Sequence, residues 1–296
     1  MRVTGYRHQR TLAAPVSVGG VGFITGARVT ARFVPAPPHT GLTFRRTDLR
    51  APAVRALASN VTGTQRRTTL GPPDAGVTLV EHVLAALAGL RIDNCEVELD
   101  GPEPPGMDGS AVSFVRALES VGTVKQAARR PVYAVSEPVT VRAPGATLAL
   151  HPASEPGLRV SYRLDYGPNA PIAPQAHTLA VSPDAFARDI AGCRTFVTEA
   201  EAHALRAKGV GRHLGPRDLL VFGDRGPIDN ELRFADEPVR HKILDLLGDL
   251  ALCGFDLAGH VVAYRSGHAL NVELARALCR AAAPNGRAPR PLARAA

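Results

Sequence analysis

The first 125 residues alternate extended stretches with turn residues, a pattern typical of β-strands. The Pro37–Pro38 pair separates two of these stretches, because proline interrupts strand hydrogen bonding. The predicted strands are residues 28–36, 41–49 and 95–101. The polar residues 60–76 are predicted to hold a short strand and a loop. The predicted helices are residues 77–90, which end at Gly89, and residues 107–122, with Ser110 as the N-cap.

The second half of the chain repeats this order of strands and helices. The strongest helical signal lies at 236–252, where acidic residues and Pro238 open the segment and apolar residues recur at helical spacing. The predicted strands are residues 132–144, 146–153, 158–166 and 258–269, the last running into a turn. The predicted helices are residues 182–190, with Ser182 as the N-cap, 199–209, 236–252 and 271–280.

Two of the predicted helices share a short sequence pattern at an offset of 159 residues. His82 aligns with His241, and Gly89 aligns with Gly248. We infer two copies of one α+β unit, each of which contributes a histidine near a pseudo-two-fold interface. The predicted fold is therefore α+β, with two similar two-layer α/β sandwich domains and the active site between them. The predicted domains are residues 1–126 and 127–284, separated near the polar stretch 125–131 and followed by a disordered tail at 285–296.

Composition places the chain among globular cytoplasmic proteins. The 296 residues are 45% hydrophobic and 21% charged, which excludes disorder along the whole chain. No apolar run approaches the ~18 residues of a membrane span, and we expect neither a secretory leader nor a transmembrane segment. The cysteines are scattered and form no CxxC pair, which argues against a disulfide scaffold and a thiolate zinc site. They are Cys95, Cys193, Cys253 and Cys279.

The net charge of +8 does not by itself indicate a nucleic-acid partner. Four arginines and no acidic residue lie at positions 280–296, so the rest of the chain carries only +4. The sequence has no basic helical stripe, no aromatic and basic RNA-binding motif and no tryptophan. An anionic small substrate explains a modest positive charge at least as well, and we expect no nucleic-acid partner.

A metal site is suggested by the predicted helix at 236–252. His241 and Asp245 are one helical turn apart on the same face, a geometry that can chelate a divalent ion. If the two related helices face each other, His82 adds a third ligand. Three protein ligands and an open position are typical of catalytic zinc. The alternatives are a surface pair at 241 and 245, and at 82 an ordinary core histidine beside a paired glutamate.

Acid–base chemistry is suggested by residues near these candidate ligands. Glu81 lies in a helix that is apolar nearly all round, where a carboxylate is costly unless it is paired, protonated or near a metal. It is a candidate general base for water activation. His268, in a glycine-containing turn, is the candidate acid, and Asp249 could fix its tautomer. The alternative for His268 is an exposed loop histidine.

Five segments in combination resemble the UDP-3-O-acyl-N-acetylglucosamine deacetylase family, the LpxC zinc enzymes of lipid A synthesis. They are VEHVLAALAGLRIDN at 80–94, MDGSAVSF at 107–114, CRTF at 193–196, LRFADEPVRHKILDLLGDL at 232–250 and YRSGHALN at 264–271. The resemblance covers about residues 3–282 and keeps the family's order and spacing. It implies two α+β sandwich domains with the site between them.

The resemblance also implies roles for individual residues. Zinc, or alternatively Fe²⁺ since the ligand set suits both, is held by His82, His241 and Asp245. Thr195 matches the hydroxyl that steadies the oxyanion. The other implied roles are Glu81 as general base, His268 as general acid, Asp249 beside that histidine, and Lys242, Tyr166, Phe196 and Arg265 as substrate contacts. The implied substrate is a UDP-linked, 3-O-acylated N-acetylglucosamine that loses acetate, and we expect a monomer.

Several positions depart from the family pattern. Ile24 stands where the glycine-rich motif usually carries a histidine, and Val197 stands where glycine is common. The loop 209–218 lacks the usual GGS run, and Arg265 replaces a frequent lysine. These departures leave the metal chemistry intact but concern substrate binding. Two alternatives follow, namely a deacetylase of another amidated sugar nucleotide and a non-catalytic binding homologue.

Overall fold

A computed structural model describes residues 1–283, so the tail predicted at 285–296 lies outside the described residues. This part of the chain forms a mixed α/β structure, which confirms the predicted α+β class. None of its helices is long and apolar enough to cross a membrane. The helices are α1 (Glu81–Gly89), α2 (Val112–Val121), α3 (Pro183–Asp189), α4 (Glu199–Ala207), α5 (Glu237–Ala251) and α6 (His268–Ala282).

The strands are short and vary from two to twelve residues. They are β1 (Arg2–Leu12), β2 (Val16–Val21), β3 (Arg28–Pro35), β4 (Leu42–Arg46), β5 (Val54–Arg55), β6 (Val61–Gly63), β7 (Thr69–Leu70), β8 (Val77–Thr78), β9 (Cys95–Leu99), β10 (Thr123–Ala134), β11 (Val139–Ala143), β12 (Ala146–His151), β13 (Leu158–Leu164), β14 (Gln175–Ala180), β15 (Phe196–Thr198), β16 (Leu220–Gly223), β17 (Gly226–Pro227) and β18 (Asp256–Tyr264).

Two large sheets carry most of the strands. A five-stranded sheet has the order β2-β3-β9-β4-β5, with β9 antiparallel to β3 and parallel to β4. A seven-stranded sheet is built around β18, which pairs with β10 and β13 in parallel and with β12 in antiparallel orientation. Two three-stranded sheets, β6-β7-β8 and β15-β16-β17, complete the described strands.

Helices pack on both large sheets, and α4 packs on the small sheet of β15 and β16. Helix α2 packs on β2, and α5 and α6 pack on strands of the seven-stranded sheet. Helices α1 and α5 pack directly against each other, and both are almost entirely buried. Among the described residues the α1–α5 pair is the largest helix–helix contact, and it links the two sheet-and-helix layers, as expected when each layer must cover an apolar face.

The contact between α1 and α5 is close because α5 carries a glycine there. A Cβ atom added to Gly248 would lie 2.1 Å from the carbonyl oxygen of Glu81, which is far inside van der Waals contact. The approach brings the rings of His82 and His241 to a centroid distance of 5.0 Å. The related helices therefore face each other as the sequence predicts, whereas the internal repeat itself stays a prediction.

Local sequence explains several helix starts. The Ser182 hydroxyl accepts a hydrogen bond from the backbone of Ala185, which confirms Ser182 as the N-cap of α3. Thr198 and Glu201 form a reciprocal capping box at the start of α4. The prediction for Ser110 is wrong by one residue, because the N-cap of α2 is Ala111. The Ser110 hydroxyl nevertheless accepts a hydrogen bond from the Val112 N–H.

Two predicted helix starts are also wrong. Helix α1 begins at Glu81 and not at residue 77, because Val77–Thr78 form β8 and Leu79 has a φ of 57°, which interrupts a right-handed helix. Helix α6 begins at His268, three residues before the predicted start. No strand was predicted from the sequence at β1, β2, β5, β14, β15, β16 or β17, and β8 lies in a segment predicted as helix.

The predicted domain boundary falls inside a long strand. The polar residues 125–131 lie within β10, which pairs with β1 in antiparallel orientation from Arg2 to Leu12. The seven-stranded sheet therefore contains a strand from each side of residue 126. Division of the chain into domains 1–126 and 127–284 remains a prediction.

We expect Gly248→Ala to lower the free energy of unfolding by about 2 kcal/mol or more, because the new methyl group overlaps backbone that cannot yield locally. Chemical denaturation followed by circular dichroism measures the change. Gly192→Ala is the matched control, since a Cβ there meets nothing within 4 Å. A Gly248 variant as stable as the control would contradict the importance of this contact.

Candidate functional site

A cavity of about 880 Å³ lies where α1, α5 and the start of α6 converge. It contains ten of the eleven site residues that the sequence predicts, and Asp249 lies behind one of them. The ten are Glu81, His82, Tyr166, Thr195, Phe196, His241, Lys242, Asp245, Arg265 and His268.

Three of these residues form a cluster that can hold a metal ion. Ligand atoms of His82, His241 and Asp245 all lie within 4.8 Å of one another. Asp245 Oδ1 lies 3.3 Å from Nε2 of His241 and 3.6 Å from Nε2 of His82. Two imidazole nitrogens and one carboxylate oxygen thus converge on one point, as a three-ligand catalytic metal site requires.

The protonation states of the cluster suit metal binding. Nδ1 of His241 lies 3.0 Å from the carbonyl oxygen of Cys193, so a proton donated there leaves the Nε2 lone pair for the cluster. Burial lowers the pKa of His241 to about 4, which keeps the ring neutral. Burial by itself would raise the pKa of Asp245. The Lys242 ammonium, 2.6 Å from Oδ2, outweighs burial and holds this pKa well below its ordinary value. The donor set therefore fits a divalent cation.

Glu81 lies beside the cluster at the first residue of α1 and is only 2% exposed. Its Oε2 accepts a hydrogen bond from the backbone N–H of Thr68 at 3.0 Å. Its Oε1 lies 3.9 Å from Nε2 of His268. Burial raises the pKa of Glu81 above its ordinary value, so its carboxylate takes up a proton more readily than an exposed one.

His268 is the first residue of α6 and is held by a buried carboxylate. Its Nδ1 lies 2.9 Å from Oδ2 of Asp249, which also accepts from Nδ2 of Asn271 at 2.9 Å. Burial alone would lower the pKa of His268, but the negative charges of Asp249 and Glu81 raise it to about 9. The imidazole is therefore protonated at neutral pH and can donate from Nε2.

Thr195 is placed at the cavity wall by its backbone. Its N–H donates to the Gly109 carbonyl at 2.8 Å, and its carbonyl accepts from Leu220 at 3.0 Å. Gly109 has a φ of 80°, and a Cβ there would lie 2.9 Å from the Thr195 side chain. The preceding Arg194 is buried against Glu237 at the start of α5, with an Nε–Oε1 distance of 2.8 Å.

The predicted substrate contacts extend from the cluster to the cavity rim. Phe196 packs edge-on between His241 and Tyr166, with ring centroids 6.1 Å and 6.2 Å away, respectively. Tyr166 is 48% exposed and lies at the rim. Arg265 pairs with Asp165 at 2.9 Å, whereas the Lys242 ammonium contacts the cluster itself.

Two residues of the site were not predicted from the sequence. Thr68 contacts Glu81 through its backbone, and its hydroxyl donates to Asp249 Oδ1 at 2.6 Å. Asn271 donates to the same carboxylate. Thr68 lies in the polar stretch 60–76, which has no periodic pattern, and its partner is 181 residues away. No local signal in the sequence indicates such a contact.

Comparison with known proteins agrees with this geometry. The family model of LpxC, described as UDP-3-O-acyl N-acetylglycosamine deacetylase, matches residues 9–280. The chain belongs to the LpxC family. This match confirms the resemblance that the five sequence segments indicate.

Relatives within the LpxC family match the chain along most of its length. A UDP-3-O-acyl-N-acetylglucosamine deacetylase of Myxococcus xanthus is 41% identical and covers 93% of this chain and 87% of its own length. One from Citrifermentans bemidjiense is 41% identical over 90% of this chain and 87% of its own length. One from Chlamydia caviae is 39% identical over 91% of this chain and 96% of its own length.

We expect His241→Ala to abolish tight metal binding, because two protein ligands hold a divalent ion far more weakly than three. When protein loaded with zinc is dialysed against a weak chelator, the ion retained per chain should be at least about tenfold lower in the variant than in the wild type. The exposed His203 on α4 provides the control His203→Ala, which should keep its zinc. Full zinc occupancy in a folded His241 variant would exclude His241 as a ligand.

Proposed function

We propose that this chain is a zinc-dependent deacetylase that hydrolyses the N-acetyl group of UDP-3-O-(3-hydroxyacyl)-N-acetylglucosamine in lipid A biosynthesis. One observation carries the proposal. In an LpxC-family chain, a cluster of two histidines and an aspartate shares a cavity with a buried glutamate and a histidine–aspartate pair. The names of the Myxococcus and Chlamydia relatives support the same substrate.

In this proposal His82, His241 and Asp245 hold the ion, which is zinc or, with the same donors, Fe²⁺. When bound, the ion would polarise the acetamide carbonyl and lower the pKa of a coordinated water to ~7. Lys242 donates to Oδ2 of Asp245. Oδ1, which lies near Nε2 of both histidines, is therefore the ligand atom in this proposal.

Glu81 acts as the general base. Its Oε2 is fixed by the Thr68 N–H, so Oε1 is the oxygen available to accept a proton from the attacking water. The water oxygen forms a bond to the carbonyl carbon while its proton moves to Glu81. The hydroxyl of Thr195, at the cavity wall, donates a hydrogen bond to the developing oxyanion.

His268 acts as the general acid. Its proton on Nδ1 is held by Asp249, so the proton on Nε2 is the one transferred to the sugar nitrogen as the C–N bond breaks. Protonation makes the nitrogen a neutral amine leaving group, and acetate is the other product. Oε1 of Glu81 and Nε2 of His268 are 3.9 Å apart, so both can reach one reacting amide.

The remaining cavity surface fits the rest of the substrate. Tyr166 and Phe196 offer aromatic surface near the rim for the uracil, and Arg265 supplies positive charge for the phosphates. Lys242, whose ammonium pairs with Asp245, contacts the substrate close to the metal cluster. Apolar side chains line another part of the cavity and suit the acyl chain. They are Ala202, Leu205, Val210, Leu214 and Val221.

We also propose a cellular location and an oligomeric state for the protein. We place it in the cytoplasm as a monomer of two α/β sandwich domains, without a nucleic-acid partner. The four cysteines are free, which suits a reducing compartment. The +4 charge of the chain before residue 280 suits an anionic sugar nucleotide.

We expect purified protein to release acetate from UDP-3-O-(3-hydroxyacyl)-N-acetylglucosamine, to lose this activity on chelation, and to regain it when zinc is restored. Acetate release and product mass measure the reaction. UDP-N-acetylglucosamine without the 3-O-acyl chain is the control substrate and should react at least about tenfold more slowly, because its binding energy from the acyl chain is missing. A zinc-loaded protein that leaves the acylated substrate intact would overturn the proposed function.

We expect Glu81→Ala to keep zinc but to lose about 10²–10⁴-fold in kcat, the usual contribution of a positioned general base. The control is Glu119→Ala, an exposed glutamate on α2, which should keep the wild-type rate. Steady-state acetate release and metal analysis on the same samples separate chemistry from metal loss. An unchanged kcat in the Glu81 variant would refute the assignment of the base.

A further inference from the structure

Thr68 joins the two residues that move protons in the proposed reaction. Its backbone N–H donates to Oε2 of Glu81 at 3.0 Å, and its hydroxyl donates to Oδ1 of Asp249 at 2.6 Å. Asp249 in turn holds Nδ1 of His268 at 2.9 Å. Thr68 is fully buried, so solvent does not compete for these hydrogen bonds.

The hydroxyl of Thr68 fixes the orientation of the Asp249 carboxylate. Oδ2 of Asp249 accepts hydrogen bonds from His268 and Asn271. Among residues 1–283, the donor to Oδ1 is the Thr68 hydroxyl. The terminal torsion of a carboxylate is soft, so a carboxylate held through one oxygen can rotate. Hydrogen bonds to both oxygens fix its plane and therefore the direction of the His268 ring.

The same hydroxyl also fixes the backbone that holds Glu81. Thr68 directly precedes β7, the central strand of a small three-stranded sheet, and its hydroxyl bond ties the start of this strand to α5. The N–H that binds Glu81 belongs to the same residue, so its position follows that of the hydroxyl. The orientation of the base and that of the acid thus depend on one side chain.

We propose that Thr68 is a positioning residue that sets the Glu81 carboxylate and the His268 imidazole in one geometry for proton transfer. The proposal rests on the proposed function of the site. Thr68 contacts none of the three metal ligands through a hydrogen bond in the described chain, and it does not line the cavity. Its loss should therefore act on kcat and leave both KM and zinc content nearly unchanged.

The test compares Thr68→Val, which keeps the shape and removes the hydroxyl, with Thr68→Ser, which keeps the hydroxyl. We expect kcat for acetate release to fall about 10–100-fold in the valine variant, the range for partners that orient a catalytic group. The serine variant should stay within about threefold of wild type, and KM should change less than about threefold in both. Zinc content is measured on each sample.

A matched control is Thr69→Val, because the Thr69 hydroxyl contacts Thr78 at 2.8 Å and lies on the neighbouring residue of the same segment. It should keep wild-type kcat. Equal losses in Thr68→Val and Thr69→Val, equal losses in the valine and serine variants, or a loss confined to KM or zinc content would each overturn the positioning role.

A second measurement does not depend on turnover. The Nδ1 proton of His268, followed by NMR of protein labelled with ¹⁵N-histidine and assigned with His268→Gln, reports the hydrogen bond to Asp249. This signal should shift or broaden in Thr68→Val and stay in place in Thr68→Ser and Thr69→Val. An unchanged signal in Thr68→Val would overturn the positioning role, whether or not the wild-type protein releases acetate. A wild-type protein that released no acetate would overturn only the proposed function.

Discussion

The close contact of α1 with α5 is the constraint on which the site depends. The two helices belong to different sheet-and-helix layers, and the distance between them is set where Gly248 meets the Glu81 carbonyl. Only a residue without a Cβ allows this approach. His82 and Glu81 come from one helix and His241 and Asp245 from the other, so the ligand cluster is complete only at this helix separation. A wider spacing would move His82 away from the other two ligands.

Because the contact between α1 and α5 is buried, the charged groups of the site are removed from water and need partners within the protein. Three carboxylates and a lysine lie within or beside one buried cluster, and each charge has a specific partner that offsets its desolvation. Lys242 accompanies Asp245, while His268, Thr68 and Asn271 surround Asp249. Glu81 has one backbone hydrogen bond and a more distant imidazole, and it is the carboxylate whose pKa is raised by burial. The least compensated acid thus lies where a proton acceptor is proposed.

The sequence predicted the parts of the site that follow from local spacing. His241 and Asp245 are one helical turn apart, so their shared face could be read directly. His82 required the further step of recognising a related helix. Thr195 and the substrate contacts came from the family resemblance. Thr68 could not be found in either way, because its partner lies 181 residues away and its own segment has no periodicity.

The fold shows the same division between local and distant determinants. The N-caps at Ser182 and Thr198 both depend on neighbouring residues; the sequence predicted Ser182, whereas the Thr198 cap was found in the structure. The start of α1 could not be predicted in this way. It is set by the positive φ of Leu79, which the periodicity of apolar residues does not reveal. The pairing of β1 with β10 joins residues more than 110 positions apart, and local composition led instead to a predicted boundary at 125–131.

The departures from the family pattern concern the cavity wall more than the geometry that supports it. At Ile24, where the resemblance implies a histidine, the backbone N–H donates to the buried carboxylate of Glu103, as does that of Thr25. Glu103 thus holds this loop through main-chain atoms, and these hydrogen bonds do not require a particular side chain at position 24. Ile24 lines the cavity, so the change substitutes apolar surface for a polar contact. The metal cluster rests on other elements, and substitutions in this loop can therefore alter substrate affinity without altering the proposed chemistry.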